Sequence, residues 1–249
     1  MSAQMPVLKQ PERRRKGSRK LLSILFLLFA VLLAVLFFNS SISKISVIDV
    51  TGSVNATKAE IVGAADIAIG DAFFGVAKET LEKRVLKVKA VQEATVVKQF
   101  PGSITISVKE YPVVAFEIGP DGQMTAIMSN ATSVLAASGE ALLDKPVLSG
   151  WKADDPNKAE LTKQLGTISA KQLSDLSEII PYPSKAYPDR IKMYTRTKFE
   201  VITSVSLLSE KIEALNAVIE SQEPGKITML LADTYVPFDG NSTENMETD

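Results

Sequence analysis

Apolar positions along this chain follow three different periods. From Leu21 to Phe38, LLSILFLLFAVLLAVLFF, the residues are apolar on every face, and uncharged sequence continues through Ser43. A helix of roughly 18 to 23 such residues spans the hydrocarbon core of a bilayer. In Ser103 to Lys109, SITISVK, apolar residues alternate: Ile104, Ile106 and Val108 point to one side, Thr105 and Ser107 to the other, as in a half-buried strand. From Leu207 to Glu220 the period is helical, with Leu208, Ile212, Leu215 and Ile219 on one stripe and Glu210, Lys211, Glu213 and Glu220 among the remaining positions.

Between these landmarks the turn chemistry fixes further elements. Ile45 to Thr51 is rich in β-branched residues and ends at Gly52, which predicts a strand and a turn. Thr57-Lys58-Ala59-Glu60 has capping-box spacing and opens a short helix to about Asp66. Gly70-Asp71 breaks the chain, and Leu81, Val85 and Val88 predict a second helix within Lys78 to Lys89. Glu93 to Phe100 and Ser103 to Lys109 form a hairpin across Pro101-Gly102. Residues 45 to 111 therefore read strand, helix, helix, strand, strand.

The following stretch is mixed, with a turn at Asp121-Gly122, a strand at Met124 to Met128 and a Leu142 to Gly150 passage leading to Trp151, the one tryptophan, read as structural. Asp155-Pro156 starts a helix carrying Leu161 and Leu165 that Gly166 is expected to end. Ser169 to Gln172 is a second capping box, predicting a helix with Leu173, Leu176 and Ile180 inward until Pro181. Ile191 to Thr195 and Lys198 to Thr203 read as paired strands. After the Leu207 helix, Pro224-Gly225 turns the chain into Lys226 to Leu231, expected as the last strand. Asp239 to Asp249 has four acids and no base and reads as a disordered tail.

Charge orients this plan. The first twenty residues hold seven Lys or Arg, including Arg13, Arg14, Arg15, Lys16, Arg19 and Lys20, against Glu12 alone. Cationic flanks stay cytoplasmic, so the N-terminus is expected inside and the C-terminus extracytoplasmic. A cleaved signal peptide is the alternative, but its apolar region is usually about 7 to 15 residues and ends at a small-x-small site, unlike Phe37-Phe38-Asn39. Ala30 and Ala34 have the small-xxx-small spacing that lets helices approach closely, but that spacing is common by chance and lipid-facing filler is the preferred reading. The whole chain carries a net charge of -1, so subtracting the +6 of the first twenty residues leaves -7 for the remainder. That remainder has no basic excess to neutralise phosphates, which argues against nucleic-acid binding.

The chain contains no Cys and no His, which excludes disulfides, thiolate metal sites and His-dependent catalysis. Ser41-Ile42-Ser43-Lys44 matches the S-x-x-K spacing of penicillin-binding enzymes, but it precedes any fold able to build an oxyanion hole, and no Lys-Thr-Gly occurs. No cofactor motif is present.

The segments ISVIDVTGSV, TKAEIVGAA, GDAFFGV and above all QFPGSITISVKEYPVVAF resemble a POTRA domain beside a membrane anchor, and the FPGSITISVKEYPVVA stretch resembles the bacterial cell-division proteins of the FtsQ and DivIB family. The closing Tyr235-Val236-Pro237-Phe238 passage is similar to that family's ending, whereas Met229-Leu230-Leu231 stands where relatives often carry Asp-Leu-Arg. The resemblance implies an α+β chain divided into a basic cytoplasmic segment (1–20), a transmembrane helix and exit (21–43), a POTRA domain (44–111), a second mixed α/β domain with a mainly antiparallel sheet (112–238) and the tail (239–249). It implies a non-enzymatic divisome scaffold without cofactors at the septal cell membrane. The implied partners are small bitopic proteins of the FtsB/DivIC and FtsL type, membrane lipid, and the septal transpeptidase and glycosyltransferase. The implied contact is strand addition at Lys226, Ile227, Thr228, Met229, Leu230 and Leu231 with Tyr235 and Val236. Two rival readings are a membrane-anchored cell-wall sensor and an anchored cell-wall enzyme.

Overall fold

A computed structural model describes residues 17–119, 122–136 and 144–238. Arg13 to Lys16, Asp121, Leu142 and Leu143, and the acidic tail lie outside the described residues. Helix α1, Gly17–Asn39, is long enough and apolar enough to cross a membrane, and its large side chains are exposed on every face, so no part of it joins the protein's own core. Arg19 and Lys20 sit exposed in its first turns, and Ala30 and Ala34 are likewise exposed.

The exit from α1 is tightly held. The Asn39 amide donates to Val35 O at 2.9 Å, a single 3-10 turn follows at Ser41–Ser43, and the buried Ser43 hydroxyl is shared between Phe38 O at 2.8 Å and Ser40 O at 2.9 Å. Phe73 N donates to Ser43 O, Ile45 N to Asp71 O and Gly70 N to Ile45 O, each at 2.8 Å. Ser41 and Lys44, the S-x-x-K pair, lie exposed in this turn, where the Lys44 N–H bonds to Ser41 O at 3.2 Å.

The first folded unit comprises β1 (Val47–Thr51), α2 (Lys58–Ala65), α3 (Lys78–Val85), β2 (Val91–Gln99) and β3 (Ser103–Glu110). Its sheet runs β1-β3-β2, with β1 parallel and β2 antiparallel to the central β3. The Thr57 hydroxyl accepts the Glu60 N–H at 3.1 Å, so the predicted cap starts α2, and Asp66 in the left-handed region ends it. Ile61, Leu81, Val85, Ile104 and Ile106 form the centre of the core. At the hairpin turn Gly102 has φ +72°, and a Cβ there would stand 2.4 Å from Lys44 O. The Ser46 N–H donates to Gly102 O at 2.8 Å, which ties the turn to the membrane exit.

At the end of β3, Glu110 accepts the backbone N–H groups of Val54, Asn55 and Ala56, each at 2.9 Å, and the Asn55 side-chain amide at 2.8 Å. Burial opposes ionisation, but these donors outweigh it and hold the carboxyl below the usual glutamate range. The chain then enters β4 (Val113–Ile118) and β5 (Met124–Met128), and Met128 reaches back into the first core. The Asn130 amide donates to Lys89 O at 2.8 Å, so the two units are bonded as well as packed.

The remaining elements are β6 (Ser133–Leu135), β7 (Val147–Leu148), α4 (Pro156–Thr167), α5 (Ala170–Leu173), β8 (Leu176–Pro181), β9 (Arg190–Thr195), β10 (Glu200–Ser204), α6 (Leu208–Ser221), β11 (Gly225–Met229) and β12 (Asp233–Pro237). They complete a nine-stranded sheet in the order β12-β11-β10-β9-β8-β7-β4-β5-β6. Neighbours are parallel at β10/β11, β7/β8 and β4/β7 and antiparallel elsewhere, giving the mainly antiparallel mixed sheet expected. Leu161 and Leu165 of α4, Leu173 of α5 and Leu208, Ile212 and Leu215 of α6 join one core with Ile179, Ile191, Met193, Val201 and Ile227 of the strands. Trp151 is structural, its indole N–H donating to Ile179 O at 3.0 Å.

Two expectations are corrected here. Helix α4 runs past Gly166 to Thr167, because the glycine serves close packing: a Cβ there would meet the Ser129 Cβ at 2.6 Å. The helix predicted from Ser169 to Ile180 stops at Leu173, although its capping box forms as read. Arg196 N donates to Asp175 O at 2.7 Å, pulling the chain into register with β9, and Leu176 and Ile179 reach the core from β8. Spacing alone suited either conformation, and pairing with β9 decided it.

Candidate partner-binding edge

Helix α6 returns the chain across the sheet so that β11 lies parallel to β10, with Glu200, Val201 and Ile202 opposite Lys226, Ile227 and Thr228. The chain then reverses through Leu230, Leu231 and Ala232, and β12 pairs antiparallel on the far side of β11. The expected last strand, Lys226 to Leu231, is therefore corrected: it ends at Met229, and the sheet edge passes to β12. Lys226 to Thr228 have strands on both sides, so their backbone has no vacant edge. Ile227 and Met229 are buried in the core, and the Thr203 hydroxyl donates to Met229 O at 2.8 Å. Leu230 and the exposed Leu231 belong to the turn.

The edge geometry follows from register. Phe238 N donates to Pro224 O at 3.2 Å, so the pairs 226/236 and 228/234, two and four residues further along the hairpin, are the mutually bonded ones. The intervening pairs 227/235 and 229/233 turn the N–H and C=O of Tyr235 and Asp233 away from β11. Among the described residues nothing pairs with that side of β12. Pro237 supplies no N–H, so it closes the edge after these two donors.

Local packing holds the edge in place. A Cβ on Gly225 would stand 2.5 Å from Val236 O and 2.7 Å from Tyr235 Cε2, so the hairpin requires glycine there. Tyr235 packs partly buried against the second core and donates its hydroxyl to Glu223 O at 2.7 Å. Asp233, at the strand's start, is paired with Lys211 of α6 at 3.0 Å. Val236 is 59% exposed on the opposite face, the one the helices leave open, beside Lys226.

That open face carries charge and aromatic rings. The Glu200 carboxylate lies 3.2 Å from Lys192 and 3.4 Å from Lys226, and Lys192 stands 4.9 Å from the Tyr182 ring centroid and 5.9 Å from that of Tyr194. Partial burial disfavours the Lys192 cation, yet Glu200, with weaker help from Tyr194 and Tyr182, holds its amine above the usual range. Among the described residues no group of three His, Cys, Asp or Glu side chains is placed to hold a metal ion. Of the sequence-predicted contact residues, the structure brings Tyr235 and Val236 to the edge and uses Ile227 and Met229 as its support. Asp233 and Thr234 of the same strand lie outside the contact residues expected from the sequence, and the β-branched and aromatic run Thr234-Tyr235-Val236 after the Leu-Ala turn was the available signal.

Among the described residues, a single apolar helix fixed to a compact βααββ unit, itself packed on a helix-backed mixed sheet, defines a protein fit to be anchored in a membrane by that helix with a POTRA-type module beside it. Residues 43–111 match the family described as POTRA domain, FtsQ-type. The chain is 47% identical over 243 residues to the cell division protein DivIB of Paenibacillus polymyxa (strain E681), covering 98% of this chain and 96% of that one. It is 29% identical to DivIB of Bacillus subtilis (strain 168), over 95% of this chain and 90% of the relative. The chain belongs to the DivIB family of cell division proteins. The major extracytoplasmic domain of DivIB from Geobacillus stearothermophilus, solved as its trans isomer, is 26% identical, with a TM-score of 0.38 over 44% of this chain and 92% of that one.

Proposed function

We propose that this protein is a non-enzymatic, single-pass scaffold of the division machinery, with residues 1–20 cytoplasmic, 21–43 spanning, a POTRA domain at 44–111 and a second domain at 112–238 outside. It acts at the septum by adding a strand from a small bitopic partner of the DivIC/FtsB or FtsL type to β12, and so helps recruit or stabilise septal cell-wall synthesis. Kinship with DivIB cell division proteins supports the divisome role. The single observation that carries the binding mode is the outer side of β12, unpaired among the described residues, where Asp233 and Tyr235 present backbone groups in strand geometry. The seven cations of the first twenty residues support the inward N-terminus.

Tyr235→Pro tests the mode. It removes an outward N–H at a position where an edge strand tolerates proline, and leaves the bonds of Thr234 and Val236 to β11. Tyr235→Ala controls for the lost side chain while keeping the N–H. In co-purification from membranes, a DivIC-like partner is expected to bind Tyr235→Pro at least about tenfold more weakly than Tyr235→Ala, which corresponds to roughly one lost hydrogen bond of 1.4 kcal/mol. Equal binding by the two variants would refute strand addition.

A further inference from the structure

Four phenylalanines meet where α1 leaves the membrane. Phe37 and Phe38 close the helix, Phe74 lies on the segment between α2 and α3, and Phe100 lies at the β2–β3 turn. Ring centroids are 6.3 Å apart for Phe37 and Phe74, 6.4 Å for Phe37 and Phe100, 6.3 Å for Phe38 and Phe74, and 6.1 Å for Phe74 and Phe100. Phe73 is buried beneath them, but Phe74 and Phe100 are each 54% exposed, an unusual state for two large rings of a folded unit.

The helix sets the depth of this cluster. Lys20 marks one boundary of the apolar run, and Phe37 follows seventeen residues later, about 26 Å along the axis at 1.5 Å per residue. A hydrocarbon core is about 30 Å thick, with a polar layer of roughly 5 to 8 Å outside each face. Phe37 and Phe38 thus fall at the far boundary. Rings centred within 6.4 Å of them occupy the same boundary or the polar layer next to it.

The connection between helix and folded unit is held at several points. Ser43 is buried, its hydroxyl caps the helix end, and the bonds Phe73 N to Ser43 O, Ile45 N to Asp71 O and Ser46 N to Gly102 O fix both phenylalanine-bearing turns to the exit strand. We propose that Phe74 and Phe100 form a membrane-contact surface that lies in the interfacial layer of the leaflet at the C-terminal end of α1, so that the POTRA unit has one orientation on the bilayer. The occupant is lipid because the patch is continuous with the spanning helix. The proposal rests on α1 crossing the bilayer, and it is independent of partner binding at β12.

The absence of cysteine makes the test clean. The full chain, reconstituted in phosphatidylcholine and phosphatidylglycerol vesicles, receives a nitroxide at one of Phe74→Cys, Phe100→Cys, Val31→Cys in mid-helix, or Glu213→Cys on the exposed face of α6. Power saturation then compares collisions with oxygen, which concentrates in lipid, and with a water-soluble nickel chelate. The expected oxygen-to-nickel ratio at 74 and 100 is several-fold above that at 213 and below that at 31. A ratio at 74 and 100 equal to that at 213, with 31 still oxygen-rich, overturns membrane contact alone. Protection of 74 and 100 from both reagents also overturns it, since protein would then cover the patch. Nickel access at 31 would remove the span and the proposal together.

Discussion

Strand β2 forms one edge of the POTRA sheet and β12 one edge of the larger sheet, and the chain treats these two edges differently. On β2 the outward N–H of Val96 is accepted by the Glu82 carboxylate of α3 at 2.9 Å, and the Lys98 amine folds back onto the Phe73 and Val76 carbonyls. At Val96 the edge is covered from within. On β12 the outward groups of Asp233 and Tyr235 have no such cover among the described residues, and the flanking effort goes into holding the strand itself: Gly225 lets it pack, Tyr235 pins it to Glu223 and Lys211 pairs with Asp233. Open edges invite aggregation, so proteins usually block them. Under the proposed function, the braced edge is the one kept for another strand.

Three substitutions break or sharpen this contrast. Gly225→Val has the largest expected effect, because its side chain enters space held by Val236 O and Tyr235. Overpacking of this kind costs about 1 to 3 kcal/mol. Urea unfolding should show that loss, and amide exchange should show β12 released while β2 and β3 keep their protection. Glu82→Ala uncovers β2 at Val96 and should cost about 1 to 2 kcal/mol, with exchange at Val96 accelerating and β12 unchanged.

Glu110→Gln has the smallest expected effect of the three; it is present at neutral pH and closes in acid. The folded pKa of Glu110 lies below the unfolded value, so the folded state binds this proton less readily. Its contribution is fully present above the ordinary glutamate range near pH 4.3 and is lost as pH falls through the lower, folded value. The urea midpoint of the wild-type chain should therefore drop more steeply on acidification than that of Glu110→Gln. Parallel acid limbs would show that the Val54 to Ala56 cradle does not act through ionised Glu110.

Strong local signals made much of this molecule legible in its sequence. The charge-free run at Leu21 to Phe38, the alternation of SITISVK, the Thr57 and Ser169 caps and the 3.6 period of Leu208 to Ile219 each specify an element without help from distant residues, and each formed. Elements that depend on distant pairing were harder to see. Strand β7 has two residues and exists because β4 and β8 flank it, and β8 has apolar spacing that also suits a helix. The site was half legible for the same reason. Alternation in KITM announced a strand, but whether that strand was an edge depended on β12 folding back beside it, a matter of register and of the missing Cβ at Gly225.

Amide exchange at Asp233 and Tyr235, with and without the extracytoplasmic part of a DivIC-like partner, tests strand addition most directly. In the free protein both N–H groups should exchange quickly while those of Thr234 and Val236, turned toward β11, exchange slowly. Partner binding should slow Asp233 and Tyr235 to the level of their neighbours. Binding that leaves both exchanging at the free rate would contradict a partner strand on β12.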